Sequence, residues 1–197
     1  MNRRFRNRFG NRFLDSSMST GEKHIPQRIV SVTPCGWMYD TYSGSMYRLS
    51  NEYMAKVICD NQNKTRILDD APAIDTLNFE LKTLKDMYLS GVRVPKPFGV
   101  SVQEFKTPLG PVSYPAIVMK AFYGKLYSKM SPNSEDYLFA YNLREEIIES
   151  ARKAGFKIDY SLPPDPEMVF DGYSLSIVEF EKFRRKATDQ RKWRKNE

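Results

Sequence analysis

The chain has 197 residues, 41% hydrophobic and 28% charged, with a formal net charge of +7, enough to bury one core or two small lobes sharing a cleft. No apolar run reaches the roughly 18 residues that a membrane span needs, and the N-terminus lacks a signal-peptide h-region. Two cysteines, Cys35 and Cys59, are too few for a disulfide framework and lack metal-site spacing, which points to a reducing, intracellular setting, and one histidine, His24, argues against a zinc site.

The positive charge sits at the two ends. Residues 1–13 carry five arginines and no acid, and residues 180–197 carry eight Lys/Arg against three acids, so each end holds +5 and the interior is left at −3. Residues 1–24 read as a basic arm in which Arg-Phe recurs at 4–5, 8–9 and 12–13. Asn2, Asn7, Gly10 and Asn11 are poor helix formers, so the arm is expected to stay unfolded until bound. Arginines interleaved with aromatics suit phosphate contact with base stacking, or an anionic membrane surface. A solvated tail accounts for the same residues.

Three strands are expected next, at Arg28–Val32, Ser45–Leu49 and Tyr53–Ile58, with the turn-rich stretch Pro34–Gly44 between the first two. The third, Tyr-Met-Ala-Lys-Val-Ile, is an apolar run with Lys56 in its middle. A buried lysine is costly unless paired, so the run demands an acidic partner. After a polar connector over 60–76, with Thr76 as a possible cap, apolar residues at 77, 81, 84, 87 and 88 show a helical period that carries Glu80. Gly91 is placed to stop that helix, and Val92-Arg93-Val94-Pro95 leaves it extended. Glu80 is the natural partner of Lys56.

Phe98–Phe105 and Pro115–Met119 read as two further strands joined through Thr107-Pro108-Leu109-Gly110-Pro111. A helix is expected over Ser134–Phe156, with Leu138, Tyr141, Leu143, Ile147, Ile148 and Ala151 on its apolar face and Gly155 at its end. Asp171-Gly172 between apolar runs is a hairpin turn. Glu181–Lys186 and Arg191–Lys195 read as a basic helix or tail, in which Trp193 could stack on a base or anchor to a protein.

In this order the segments resemble a protein kinase, and most of all the small atypical kinases of the RIO family and the kinase subunit of the tRNA-modifying KEOPS complex. Lys56 stands where the Val-Ala-Ile-Lys lysine stands, and Glu80 where the glutamate of the following helix stands. The resemblance implies an α+β, two-lobed fold. Its N-lobe, over 25–123, would hold a five-stranded antiparallel sheet, and a minimal, mostly helical C-lobe would follow over 124–181, with a basic tail over 182–197. Residues 34–44 would be a degraded glycine-rich loop, with Gly44 and Ser45 at its end and the earlier glycine positions near Tyr39 and Thr41; a plain β-hairpin is the alternative. Met119 would be the gatekeeper, and the backbone of Lys120–Phe122 would meet adenine.

The same resemblance sets Glu167-Met168-Val169-Phe170-Asp171-Gly172 and Glu179-Phe180 against the metal-binding segments of kinases. Glu167 would take the asparagine position and Glu179 the aspartate position, together holding Mg²⁺ beside ATP. The catalytic aspartate position falls on Leu162, so Asp159 is the outside candidate for the base, and Asp165 an added metal ligand. The implied activities are ATP binding with transfer to a protein Ser/Thr hydroxyl, or a pseudokinase. The alternative, from a different class, is a nucleic-acid or ribonucleoprotein-binding module acting on RNA or DNA through residues 1–13 and 182–197.

Overall fold

A computed structural model describes residues 37–60, 67–107, 110–159 and 166–185. The arm over 1–24, the expected strand Arg28–Val32, Leu162, Asp165 and the chain beyond Arg185 lie outside the described residues. The chain divides into two compact units. The first runs up to Leu81 and resumes over Pro95–Phe122; the second comprises Lys82–Val94 and the chain from Tyr123. No helix among the described residues is long and apolar enough to cross a membrane.

The first unit is built on five antiparallel strands: β1 (Trp37–Asp40), β2 (Gly44–Arg48), β3 (Tyr53–Ile58), β4 (Pro97–Thr107) and β5 (Gly110–Lys120). Their order across the sheet is β1-β2-β3-β5-β4. β1 lies within the stretch read as a degraded glycine-rich loop or a plain β-hairpin, and it forms a hairpin: Trp37–Asp40 folds back on β2 around a turn closed by the Thr41 N–H on the Gly44 carbonyl at 2.8 Å. β4 and β5 extend beyond the expected strands and pair in register from Gly99–Val118 to Thr107–Gly110.

Alternation assigns side chains to two faces. Met46, Met54, Lys56, Ile117 and Met119 share one face through the pairs Met46–Lys56, Lys56–Ile117 and Met54–Met119, and all are fully buried. Tyr47, Ala55, Val57, Cys59, Phe105 and Ala116 form a buried cluster on the other. With both faces covered, β3 and the second half of β5 show no alternation, and β3 is apolar but for Lys56.

Helix α1 (Ala71–Leu89) begins in the first unit and ends in the second. Its cap is Asp70, not Thr76: the Asp70 carboxylate accepts the Ala73 N–H at 3.0 Å, whereas Thr76 lies inside the helix and donates its hydroxyl to the Pro72 carbonyl. Ala73, Leu77, Glu80, Leu81, Leu84 and Met87 are buried, and Tyr88, expected on that face, is not. The helix ends in a Schellman motif, with Val92 N–H on Met87 O, Gly91 N–H on Tyr88 O, and Gly91 at φ +77°.

In the second unit, β6 (Lys125–Leu126), β8 (Met168–Phe170) and β9 (Leu175–Ile177) form a three-stranded sheet, and β7 (Phe156–Ile158) pairs with β10 (Phe183–Arg185). Helix α2 (Glu135–Lys153) is capped by Ser134, whose hydroxyl accepts the Tyr137 N–H at 3.2 Å. It buries Ala140, Ile147, Ile148 and Ala151, while Leu138 and Tyr141 are exposed. Leu138 lies two positions from Ala140, about 200° round the helix, so it cannot share that stripe. Residues 181–185, read as the start of a basic helix or tail, are instead the end of a short 3₁₀ turn and the strand β10. The ring of Phe183 is fully buried.

Candidate functional site

The sheet unit is organised on a buried ion pair. Lys56 Nζ lies 2.7 Å from Glu80 Oε2, and neither side chain has any exposed surface. β3 sits third in a five-strand order, so a side chain at the middle of it is remote from both sheet edges. Glu80 lies on the buried stripe of α1 between Leu77 and Leu81, which carries its carboxylate to the lysine. The second carboxylate oxygen, Oε1, accepts the Ser43 hydroxyl at 2.6 Å. The turn between β1 and β2 is thereby tied to the same acid. Ser43 escaped the sequence reading, since a serine in a turn carries no pattern; the need of Glu80 for a second donor was the one available signal.

Gly44 is required here by contact rather than by φ. A Cβ built on it falls 1.8 Å from the Val57 carbonyl oxygen, so β2 and β3 can approach only with hydrogen at this position. Tyr39 and Thr41, near which the resemblance would put the earlier glycines, lie in β1 and in the turn. Ser45, expected beside the nucleotide, has its side chain on the face opposite Lys56, because it pairs with Val57 while Met46 pairs with Lys56. Its hydroxyl donates to Asp40 Oδ1 at 2.5 Å and accepts the Cys59 thiol at 3.5 Å. The same face holds Tyr47, whose hydroxyl is pushed up to about 12 by burial, with Cys59 and Asp40 adding to the effect.

Met119 is fully buried on the Lys56 face, two residues along β5 from Ile117, the strand partner of Lys56. Two of the amides expected to meet adenine are engaged within the unit: Lys120 N–H on Lys96 O and Ala121 N–H on Glu52 O, both at 2.8 Å. Phe122 is the last residue of the unit.

The second unit brings Glu167, Glu179 and Asp159 into one neighbourhood and gives each a protein partner. Glu179 Oε2 accepts the Glu167 N–H at 2.9 Å and lies 2.5 Å from Lys182 Nζ. The Glu167 carboxylate turns the other way, accepting the Ser128 N–H at 3.2 Å, the Ser128 hydroxyl, and the Met168 N–H at 3.1 Å. Asp159 donates its N–H to the Lys182 carbonyl at 2.7 Å, and its carboxylate pairs with Arg184 at 3.7 Å. Among the described residues no group of three or more His, Cys, Asp or Glu converges as a metal cluster would. Lys182, expected in a basic helix or tail, is buried, and Arg185 pairs with Asp86 at 3.4 Å.

The Asp171-Gly172 hairpin forms as expected, with Gly172 at φ +101° and the Asp171 carboxylate accepting N–H bonds from Tyr173 and Ser174 at 2.8 and 2.7 Å. Partial burial raises this carboxyl, but those bonds and the Ser174 hydroxyl outweigh it and hold the group below its usual range.

No protein-family model and no curated protein matches the chain. Among solved structures it is similar to WbdD in a co-crystal structure with the kinase inhibitor LY294002. The two are 14% identical with a TM-score of 0.46, over 79% of this chain and 34% of that one. The chain thus spans about a third of the length of that protein.

Proposed function

We propose that the chain is a kinase-like nucleotide-binding protein, akin to the small atypical kinases, in which phosphoryl transfer has been lost. The observation that carries this reading is the Lys56–Glu80 pair at 2.7 Å with both side chains sealed from solvent. An isolated buried ion pair is a weak source of stability, since replacing it with apolar side chains is often neutral. A chain that keeps one at the centre of its sheet has another use for the ammonium, and binding phosphate oxygens is the use the resemblance supplies. The strand order β1-β2-β3-β5-β4 and the buried Met119 on the lysine's face support the same reading. With the Lys120 and Ala121 amides engaged, adenine would be met by the Phe122 amide and the carbonyls of this stretch.

The reading stops at binding. A general base must reach the proton it removes, and the Asp159 carboxylate is held by Arg184 in an ion pair. Glu179 is likewise held by Lys182. A thermal-shift titration with ATP tests the proposal. ATP at a hundredfold excess over its Kd should stabilise the protein by about 2.7 kcal/mol, and the shift should vanish in a Lys56→Met/Glu80→Leu double variant, which removes both charges together. No label should pass from γ-labelled ATP to a protein acceptor. An ATP shift of equal size in the double variant, or none in the wild type, overturns the reading.

A further inference from the structure

The resemblance gives Glu167 and Glu179 to a divalent cation, and the residues of this chain do not fit one. Glu179 stands at the foot of the 3₁₀ turn Phe180–Lys182. Lys182 is the last residue of that turn, three positions on from Glu179, and the two side chains meet across it. The result is an ammonium 2.5 Å from Glu179 Oε2, with the two side chains 4% and 7% exposed. The backbone fixes it there: the Lys182 carbonyl accepts the Asp159 N–H, and Arg184 reaches back to the Glu181 carbonyl. Glu167 offers Glu179 its backbone N–H, a donor, and points its own carboxylate at Ser128. Octahedral Mg²⁺ wants oxygens at about 2.1 Å and sheds its water reluctantly, whereas the partners around Glu179 Oε2 are an ammonium and an amide.

We propose that Lys182 is the resident cation of this site: a tethered ammonium stands where a divalent ion would, so Glu179 is neutralised without metal. A buried carboxylate whose partner is removed becomes an uncompensated charge, and a divalent ion is then the natural replacement. Lys182 is therefore what excludes the metal.

The test uses the full chain and Mn²⁺ alone, without nucleotide, followed by calorimetry or by the loss of the free-ion electron paramagnetic signal. Wild type should show no saturable binding. Lys182→Met should gain Mn²⁺ affinity by about tenfold or more, the scale on which a neighbouring group tunes a metal site. Saturable wild-type binding that disappears in a Glu179→Gln/Lys182→Met double variant overturns the proposal, as does a folded Lys182→Met that gains nothing. Should Lys182→Met fail to fold, wild type against the charge-free double variant decides alone.

Discussion

Replacing Lys56 by Met, alone and with Glu80→Leu, measures what the central ion pair does for the sheet unit. The single variant strips the ammonium from a carboxylate with no exposed surface, leaving Glu80 the Ser43 hydroxyl as the donor to its other oxygen. Breaking a buried pair from one side costs about 3–5 kcal/mol. At about 2–4 °C per kcal/mol for a chain of this size, the melting temperature should fall by about 6–20 °C. The double variant leaves no charge behind and adds apolar volume beside Met46, Met54, Ile117 and Met119, all fully buried. It should recover most of the loss, since apolar replacement of a whole buried pair is often neutral or better. Differential scanning fluorimetry with far-ultraviolet dichroism on the same samples reads both effects. A single variant as stable as wild type would show the lysine to be unpaired in solution. A double variant no better than the single would show the loss to come from packing rather than charge.

Gly44→Ala and Gly91→Ala should separate two reasons for a glycine. A methyl at Gly44 meets the Val57 carbonyl oxygen at 1.8 Å, while one at Gly91 meets nothing within 4 Å and is opposed only by φ +77°. Gly91→Ala should cost about 1–2 kcal/mol, and Gly44→Ala more, because backbone must part from backbone; urea midpoints in the reverse order would contradict the close approach of β2 and β3. Tyr47 governs an alkaline limb. Its hydroxyl is raised from 10.0 to about 12 by burial first, so above pH 10 the unfolded chain loses a proton that the folded chain keeps. The stability it contributes is therefore complete below pH 10 and lost as pH rises through 12. Tyr47→Phe should flatten that fall in urea midpoint, and an unchanged slope would place the ring outside the core.

The parts of the site that could be read in advance are those where a wrong answer would have been expensive. An ammonium amid Met54, Ala55, Val57 and Ile58 has to find an acid, and Glu80, flanked on a helical period by Leu77, Leu81 and Leu84, was the acid that α1 would bury. Geometry followed from energetic necessity. Ser45 was misplaced because a strand covered on both faces shows no alternation, and nothing in Gly-Ser-Met-Tyr-Arg says which side chain looks toward Lys56; the register with β3 decides it. The expected cap at Thr76 failed because Pro72 is tolerated in the first turn of a helix, so the cap lies six residues earlier, at Asp70, and α1 starts at Ala71.

Lys182 shows the opposite limit. In Glu-Lys-Phe-Arg-Arg-Lys it is one of four bases, and composition assigns all of them to solvent. What sets it against Glu179 is the turn Phe180–Lys182, which brings side chains three positions apart into contact. That the chain winds into a turn there, instead of running on as a tail, gives Glu179 its own lysine as a partner. The turn is invisible to residue type, so the pairing of a carboxylate that the resemblance would give to a metal could be read only from the fold.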